Sequence, residues 1–304
     1  MIALGFDTSN YTTSAAWFDG QEGYNSGRLL TVKPGELGLR QSDALFQHVK
    51  RMPEIVEKML ENCSRGEIGA IGVSTRPRSV EGSYMPCFLA GESQATVLAN
   101  TLQVPLYAFS HQQGHLAAIL WSSGRLELME KEFLAWHLSG GTTELLHVSP
   151  GLHAEIIGGT EDLSAGQLID RTGQLLELPF PSGKHIDALS KEAQMKDIFK
   201  VKCPGLEFSL SGVQNKVQQF HEKHGIPAET AAYALRCVAK AVYQATENAL
   251  KQYPGYRVVF SGGVASNSML RELTAPLNPI YSQPQFSTDN AMGVAVLAHR
   301  LTQE

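Results

Sequence analysis

Residues 2–18 read IALGFDTSNYTTSAAWF, two short apolar runs that flank a small polar turn. Such runs around such a turn predict a β-hairpin, closed here by residues 7–10. The pattern returns in FLAWHLSGGTTELLHVS, residues 133–149, where the turn spans residues 139–143. The sequence therefore predicts two halves, each opening with a hairpin whose turn contains small polar residues.

Outside the hairpins, short apolar strands alternate with helical patterns. We expect strands at 68–74, 105–109 and 257–263, and a helix over 42–60 that Pro53 kinks or divides. Further helices are predicted at 88–102, 111–121, 162–177, 184–194, 211–224, 228–252, 264–275 and 289–302. This alternation predicts an α/β protein whose sheets are covered by helices.

The length of 304 residues suits two lobes. We expect the first lobe to comprise residues 1–124 together with the closing helix, 289–304. The second lobe would then span residues 125–288.

Composition excludes several classes of protein. A formal net charge of −5 argues against a strongly basic nucleic-acid binder. The apolar N-terminus is interrupted by Asp7 and lacks a basic region before it, so it does not resemble a signal peptide. The sequence contains no apolar run of the roughly 20 residues that a membrane span needs. We therefore expect a cytoplasmic protein with no membrane partner.

Three turns of small residues follow apolar strands, at 7–10, 139–143 and 261–263. Glycine lets backbone N–H groups approach an anion, and Ser and Thr hydroxyls add donors. The third turn leads into a predicted helix whose N-terminus favours negative charge. These turns predict a nucleotide held in a cleft between two lobes, as in the actin, Hsp70 and sugar-kinase (ASKHA) architecture.

The motif HQQGH places His111 and His115 four residues apart on a predicted helix. Side chains at this spacing lie on one helical face, where both imidazoles could reach one metal ion. Two ordinary surface histidines are the alternative interpretation.

Several short motifs occur in an order that resembles one known family. They are LGFDTS, HQQGH, SGGTTEL, DLSAGQLIDRTGQLL followed by FPSG, EFSLSGV, GGVASNSMLR and STDNAMGVA. Together they resemble the tRNA threonylcarbamoyl-adenosine transferases, the bacterial TsaD family once called O-sialoglycoprotein endopeptidases. The resemblance extends over nearly the whole chain and implies the two-lobed ASKHA fold.

The resemblance also implies a set of site residues. The metal ligands would be His111, His115 and Asp289, a donor set that suits iron or zinc, with Mg²⁺ as a further candidate ion. ATP or an adenylate would be bound by Ser9, Leu138, Ser139, Gly140, Gly141, Thr142, Asp170, Gly183, Asp187, Gly262, Gly263 and Asn267. A capping role is the alternative for Asp187.

The chain departs from the family pattern at positions that matter for catalysis. The acidic pair that follows the family's first turn is replaced by Tyr11 and Thr12. The glutamate of the metal motif is Gln113, and a Gly-Pro-Gly stretch is replaced by the segment Arg76 to Arg78. Without the acids, no catalytic base is evident, and the chain has the character of a diverged paralogue. Arg76 and Arg78 could bind a phosphate or carboxylate, or could simply be solvated.

The family's reaction, transfer of a threonylcarbamoyl group to a tRNA adenosine, is the expected function. The tRNA would bind with help from partner subunits, and the protein would form a homo- or heterodimer. A carbamoyltransferase acting on a small acceptor and a non-catalytic nucleotide-binding scaffold remain as alternatives. A zinc metalloprotease is excluded because its general-base glutamate would follow His111 directly, where the chain has Gln112.

Overall fold

The computed structural model describes residues 1–9, 11–32, 39–61, 63 and 67–303. Asn10, the last residue of the expected first turn, lies outside the described residues. Unit 1 comprises Met1–Met129, Gly151–His153 and Thr288–Glu304, and unit 2 comprises Glu130–Pro150 and Ala154–Ser287. Residues 125–129, residues 151–153 and Thr288, which the sequence assigned to the second lobe, thus belong to unit 1. A hydrogen bond joins the first two of these segments to the rest of unit 1, because the Gln113 side-chain amide donates to the carbonyl of Gly151 at 3.2 Å, and Gly151 N–H in turn donates to the carbonyl of Met129 at 3.1 Å.

Unit 1 is built on a five-stranded sheet whose first two strands form the predicted hairpin. The strands are β1 (Ile2–Asp7), β2 (Thr12–Phe18), β3 (Gly23–Leu29), β4 (Ile68–Arg76) and β5 (Leu106–Ser110), in the order β3-β2-β1-β4-β5. β1 pairs antiparallel with β2 and parallel with β4. The sequence did not predict β3, because only one residue of this polar edge strand is buried and the strand lacks an apolar alternation.

Among the described residues, the sheet packs against α1 (Gln41–Leu60), α2 (Phe88–Leu102) and the last helix, α9 (Met292–Leu301), and α3 (His111–Ser122) packs mainly on α9. α1 is a single helix with Pro53 inside it, not two segments. α9 approaches the sheet closely because Gly5 has no side chain. A Cβ atom there would lie 2.5 Å from the carbonyl oxygen of Ala291.

Unit 2 repeats the strand order of unit 1. Its strands are β6 (Phe133–Leu138), β7 (Thr143–Ser149), β8 (His153–Thr160), β9 (Glu207–Phe208), β10 (Val258–Ser261) and β11 (Ile280–Tyr281). They are ordered β11-β10-β6-β7-β8-β9, so the run β8-β7-β6-β10-β11 corresponds to β3-β2-β1-β4-β5. The resemblance between the two hairpins in the sequence is therefore a repeat of topology.

The helices of unit 2 are α4 (Ala165–Leu175), α5 (Gly183–Ser190), α6 (Ser211–His224), α7 (Pro227–Gln252) and α8 (Ser268–Thr274). The helix expected over 264–275 is divided. A 3₁₀ turn, Gly263–Ser266, precedes Asn267, whose side chain caps α8. α7 is buried along an alanine-rich face, and Trp136 of β6 donates its Nε1–H to Thr246 Oγ1 at 2.8 Å in this core.

In the described part of the chain, every helix is too short or too polar to traverse a lipid bilayer.

Candidate functional site

Unit 1 brings together the three residues expected to bind a metal. His111 and His115 lie on the first turns of α3, and Asp289 lies in the segment just before α9. The Nε2 atoms of His111 and His115 lie 3.5 Å and 3.2 Å from Asp289 Oδ1. One ligand atom from each residue falls within 4.8 Å of the others. The sequence spacing could not show this, because Asp289 is distant in the chain.

A fourth residue, which the sequence analysis did not assign to the metal site, fixes the orientation of His111. Asp7 is buried at the end of β1, and its Oδ2 lies 2.8 Å from His111 Nδ1. The same carboxylate accepts hydrogen bonds from the Ser74 hydroxyl at 2.5 Å and from the Ser9 N–H at 2.9 Å. The Ser9 hydroxyl, expected to contact nucleotide, also donates to Asp7 at 2.5 Å. Asp7 thus holds Nδ1 and directs Nε2 of His111 toward Asp289, as carboxylates behind metal-binding histidines do.

The charges of this cluster are strongly coupled. Burial lowers the pKa of His111, but the charge of Asp7 and hydrogen bonds to Asp289 and Asp7 outweigh it and raise the pKa to about 10. Burial raises the pKa of Asp289, yet its hydrogen bonds to His111 and His115 hold that pKa well below its usual range. Without a metal, His111 is therefore a cation between two carboxylates. A bound cation would take the place of that proton.

The donor set fits a divalent transition metal. Ligand atoms about 2.1 Å from one ion lie roughly 3.0–3.4 Å apart in octahedral or tetrahedral sites. The separations of 3.2 Å and 3.5 Å around Asp289 come close to this range. Two imidazoles and one carboxylate leave coordination positions for a substrate, as in iron(II) and catalytic zinc sites. Mg²⁺ fits this set less well, because it takes oxygen ligands.

The amino end of α3 is fixed by Gln113, the residue that replaces the family's glutamate. Ser110 and Gln113 form a reciprocal capping box. Gln113 Oε1 also accepts the Ser79 hydroxyl at 2.9 Å, and its Nε2 donates to the Gly151 carbonyl at 3.2 Å. The amide therefore has a structural role that the S-x-x-Q pattern could have revealed.

The positions that replace the acidic pair carry no charge. Thr12 begins β2 and is buried, and the carbonyl of Tyr11 accepts the N–H of Leu30 at 2.7 Å. Both oxygens of the neighbouring Asp7 accept hydrogen bonds, so this carboxylate positions His111 and is not poised as a base.

In unit 2, two of the expected phosphate-binding turns lie side by side. β6 and β10 are parallel neighbours, with His137 opposite Ser261, so the turns that follow them leave the same edge of the sheet. Gly262 has a φ of +89°, and a Cβ there would lie 2.2 Å from the carbonyl oxygen of Leu138. Glycine is therefore required at this crossing of the two chains.

The turn between β6 and β7 is ordered by its own hydroxyl groups. Ser139 Oγ accepts the N–H groups of Gly141 and Thr142 at 3.3 Å and 3.0 Å and lies 2.7 Å from Thr142 Oγ1. Ser164, the N-cap of α4, donates to the carbonyl of Gly140 at 2.8 Å. A Cβ added at Gly140 or Gly141 would meet no atom of the described chain within 4 Å, and the same holds at Gly183 and Gly263. These glycines therefore border open space that a ligand could fill.

The remaining expected nucleotide contacts hold α4, α5 and α8 together. Asp170 Oδ1 accepts the Ser182 N–H at 2.8 Å, and burial raises the pKa of this carboxyl. Asp187 Oδ1 accepts the Asn267 side-chain amide at 2.7 Å and the N–H of Ser268 at 2.9 Å. Asp187 therefore has the capping role left open by the sequence, and a ligand contact from it stays a prediction.

Comparison with known proteins gives a consistent result. The profile of the TsaD family, tRNA N6-adenosine threonylcarbamoyltransferase, matches residues 33–296. A tRNA N6-adenosine threonylcarbamoyltransferase of Carboxydothermus hydrogenoformans is 32% identical over 268 residues, 83% of this chain and 77% of that protein.

Two solved structures share the fold. Component A of the Acidaminococcus fermentans (R)-2-hydroxyglutaryl-CoA dehydratase has a TM-score of 0.60, 15% identity and full coverage of both chains. A ROK family glucokinase from Streptomyces griseus, solved with glucose and AMPPNP, has a TM-score of 0.54 and 10% identity. The match covers 99% of this chain and 100% of the glucokinase chain. At these identities the likeness shows the fold alone, and it confirms the expected two-lobed ASKHA class.

Proposed function

The chain belongs to the TsaD family of tRNA N6-adenosine threonylcarbamoyltransferases, and we propose that it transfers a threonylcarbamoyl group from an adenylate to a tRNA adenosine. The observation that carries this proposal is the convergence of His111, His115 and Asp289 behind a buried carboxylate, Asp7. A scaffold that merely binds nucleotide would not need an oriented imidazole pair with open coordination positions.

The proposed reaction is an acyl transfer. The N6 amine of adenosine attacks the carbonyl carbon of the threonylcarbamoyl adenylate, and a C–N bond forms. The bond from that carbon to the phosphate oxygen breaks, AMP leaves, and N6 loses one proton to solvent or to the departing phosphate. A carboxylate base at positions 11 and 12 is absent, so we propose that the positioned carbonyl and a good leaving group provide most of the rate.

Each unit would contribute separately. A metal bound by His111, His115 and Asp289 would act as a Lewis acid on an oxygen of the transferred group. Asp7 would keep the imidazole of His111 in one tautomer, with Nε2 available as a ligand. In unit 2, the N–H groups and hydroxyls of residues 139–142 and the open face of Gly263 would bind the phosphate, as the same fold binds AMPPNP in the glucokinase.

The tRNA substrate implies partners. The net charge of −5 gives this chain little attraction for a polyanion, whose binding depends on neutralising its phosphates. We therefore propose that partner subunits supply basic surface, in a homo- or heterodimeric assembly that acts in the cytoplasm, where tRNA is modified.

The test is transfer of labelled threonine from threonylcarbamoyl adenylate to tRNA purified from a strain that lacks the modification. The assay is run in an extract of that strain, which supplies partner subunits, and the Carboxydothermus hydrogenoformans relative in the same extract is the positive control. We expect incorporation by the wild type and a loss of about 100-fold or more in His111→Ala, the range seen when one electrostatic catalytic group is removed. Absence of incorporation by the wild type, with the control active, would refute the tRNA reaction.

A second candidate, carbamoyl transfer to a small hydroxyl or amine, is favoured by the uncharged Tyr11 and Thr12. It predicts release of AMP from the adenylate without tRNA, stimulated by a small acceptor. A Thr12→Glu variant separates the two candidates, since a restored acid would raise tRNA modification and leave turnover with the small acceptor unchanged. ATP binding with neither activity would identify a scaffold.

A further inference from the structure

Arg76 lies beside the metal-binding residues, and Arg78 follows it two residues later in the chain. Arg76 ends β4 and pairs with Ser110, the residue just before His111, while the strand register shifts between Ser74 and Arg76. Such irregularities redirect side chains at the ends of strands. Because neighbouring strands are about 4.8 Å apart, the Cα of Arg76 lies within reach of the amino end of α3.

The segment that carries both arginines is fastened to α3. The carbonyl of Pro77 accepts the N–H of Gln112 at 3.0 Å. The hydroxyl of Ser79 donates to Gln113 Oε1 at 2.9 Å and lies 3.0 Å from Ser110 Oγ. These contacts hold the segment against the helical turn that presents His111, so it is not a loosely solvated loop.

The positive charge of Arg76 has no carboxylate to balance it within the described residues. Its Nη1 contacts Thr75 Oγ1 at 3.3 Å, and both Arg76 and Arg78 are half-buried. Asp7 and Asp289 are engaged by serines and by the two histidines. A half-buried guanidinium of this kind suits a planar anion, which it can bind through two parallel hydrogen bonds.

We propose that Arg76 binds the carboxylate of the threonyl part of the transferred group. This inference rests on the proposed function. The threonylcarbamoyl group carries one carboxylate, three bonds from the carbonyl that is attacked, so the two carbons lie roughly 3–4 Å apart. A carbonyl held at the metal-binding residues places that carboxylate close to their edge. The phosphates of a tRNA backbone are the other source of anionic oxygens, but exposed cations would meet them more readily than a half-buried one.

The experiment compares two stable analogues of the adenylate in which the acyl–phosphate oxygen is replaced by a methylene group. One analogue keeps the threonyl carboxylate, and the other has a neutral carboxamide there. Calorimetry gives the ratio of their dissociation constants for the wild type, Arg76→Met and Arg76→Lys. Arg28→Met is the control, because it removes an exposed charge that is paired with Glu54 in the same unit. Circular dichroism checks that each variant is folded.

We expect the wild type to prefer the carboxylate by about tenfold or more, since one charge-assisted hydrogen bond is worth at least that. In Arg76→Met, the ratio of the two dissociation constants should fall to about one, and the affinity for the carboxamide analogue should be unchanged. Arg76→Lys should retain part of the preference for the carboxylate analogue. Arg28→Met should retain all of it. A preference that survives in Arg76→Met overturns the inference. The inference is also overturned if Arg76→Met lowers the affinity for tRNA in filter binding while the ratio of the two dissociation constants stays as in the wild type. The guanidinium would then contact a tRNA phosphate. Equal wild-type affinity for both analogues overturns this inference alone, whereas failure to bind either one overturns the proposed function as well.

Discussion

Replacement of Asp7 by asparagine should destabilise unit 1 and should do so in a way that depends on pH. Asp7 is buried, and its two carboxylate oxygens accept hydrogen bonds from Ser9, Ser74 and His111. Asparagine has the same shape but replaces one oxygen with an amide that can only donate. One of the buried donors around it therefore loses its acceptor, and protonated His111 loses an adjacent negative charge.

The size of the effect follows from His111. A pKa raised from 6.5 to about 10 corresponds to about 5 kcal/mol of favourable interaction with the protonated ring, at about 1.36 kcal/mol for each unit of pKa. Asp289 contributes part of this. Breaking one partner of a buried ion pair costs about 3–5 kcal/mol in general. We therefore expect Asp7→Asn to lower the free energy of unfolding of unit 1 by about 3 kcal/mol.

The dependence on pH has a definite sign. The folded pKa of His111 is raised, so its contribution is full below pH 6.5 and is lost as the pH rises through about 10. The pKa of Asp7 is lowered, because its interactions with His111, Ser74 and Ser9 outweigh burial, which alone would raise it. The contribution of Asp7 to the free energy of unfolding is therefore present above pH 3.8, the ordinary pKa of aspartate, and is lost as the pH falls below that value. The difference in the free energy of unfolding between the wild type and Asp7→Asn should be largest from pH 3.8 to 6.5 and should become smaller toward pH 10.

Urea unfolding of chelator-treated protein tests this prediction at pH 5.5 and 9.5. A pyridyl disulfide that reacts at acid pH labels Cys87 as unit 1 opens and Cys237 as unit 2 opens, since both side chains are buried. The transition of Cys87 should shift in Asp7→Asn, whereas that of Cys237 should not. Asp43→Asn, an exposed substitution in α1, is the control. A shift below about 1 kcal/mol at pH 5.5, well under the cost of a broken buried pair, would refute the reasoning, as would equal shifts at both pH values.

Three further outcomes are expected. Elemental analysis should find close to one iron or zinc per wild-type chain and less than about a tenth of that in His115→Ala, while an exposed control, His153→Ala, keeps its metal. Gly263→Val should weaken ATP binding in calorimetry by about tenfold or more. The protein should stay folded, because the added atoms enter open space. The control Gly212→Val, whose added atoms also enter open space, should bind ATP as the wild type does. Ser164→Ala should lower the unfolding free energy of unit 2 by about 1 kcal/mol in urea, since it removes the cap of α4 and a bond to the adjacent turn. Unchanged metal content, ATP affinity or stability would contradict the corresponding assignment.

The fold could be predicted from the sequence to a large extent because hydrophobic patterns are local. The hairpin of β1 and β2 appears in the structure with Leu4 opposite Trp17, and the second hairpin appears with Ala135 opposite Leu146. The same locality explains the omissions. β9 and β11 are two residues long, too short for any pattern. β3 and β8 each have three exposed residues, and they form through pairing with a neighbouring strand and not through an apolar face of their own.

The sequence by itself determined the family, the two repeated hairpins and the pair His111 and His115, since each depends on residues that are near one another in the chain or on motifs in a fixed order. Only the tertiary structure decided that Asp7 lies behind His111 and that Arg76 lies beside it, because these contacts join strand ends that are far apart in sequence. Hydrogen bonds and charges act over a few ångströms in space, whatever the separation along the chain. The folded sheet of unit 1, which places the ends of β1, β4 and β5 at one edge, is therefore what turns separate motifs into a site.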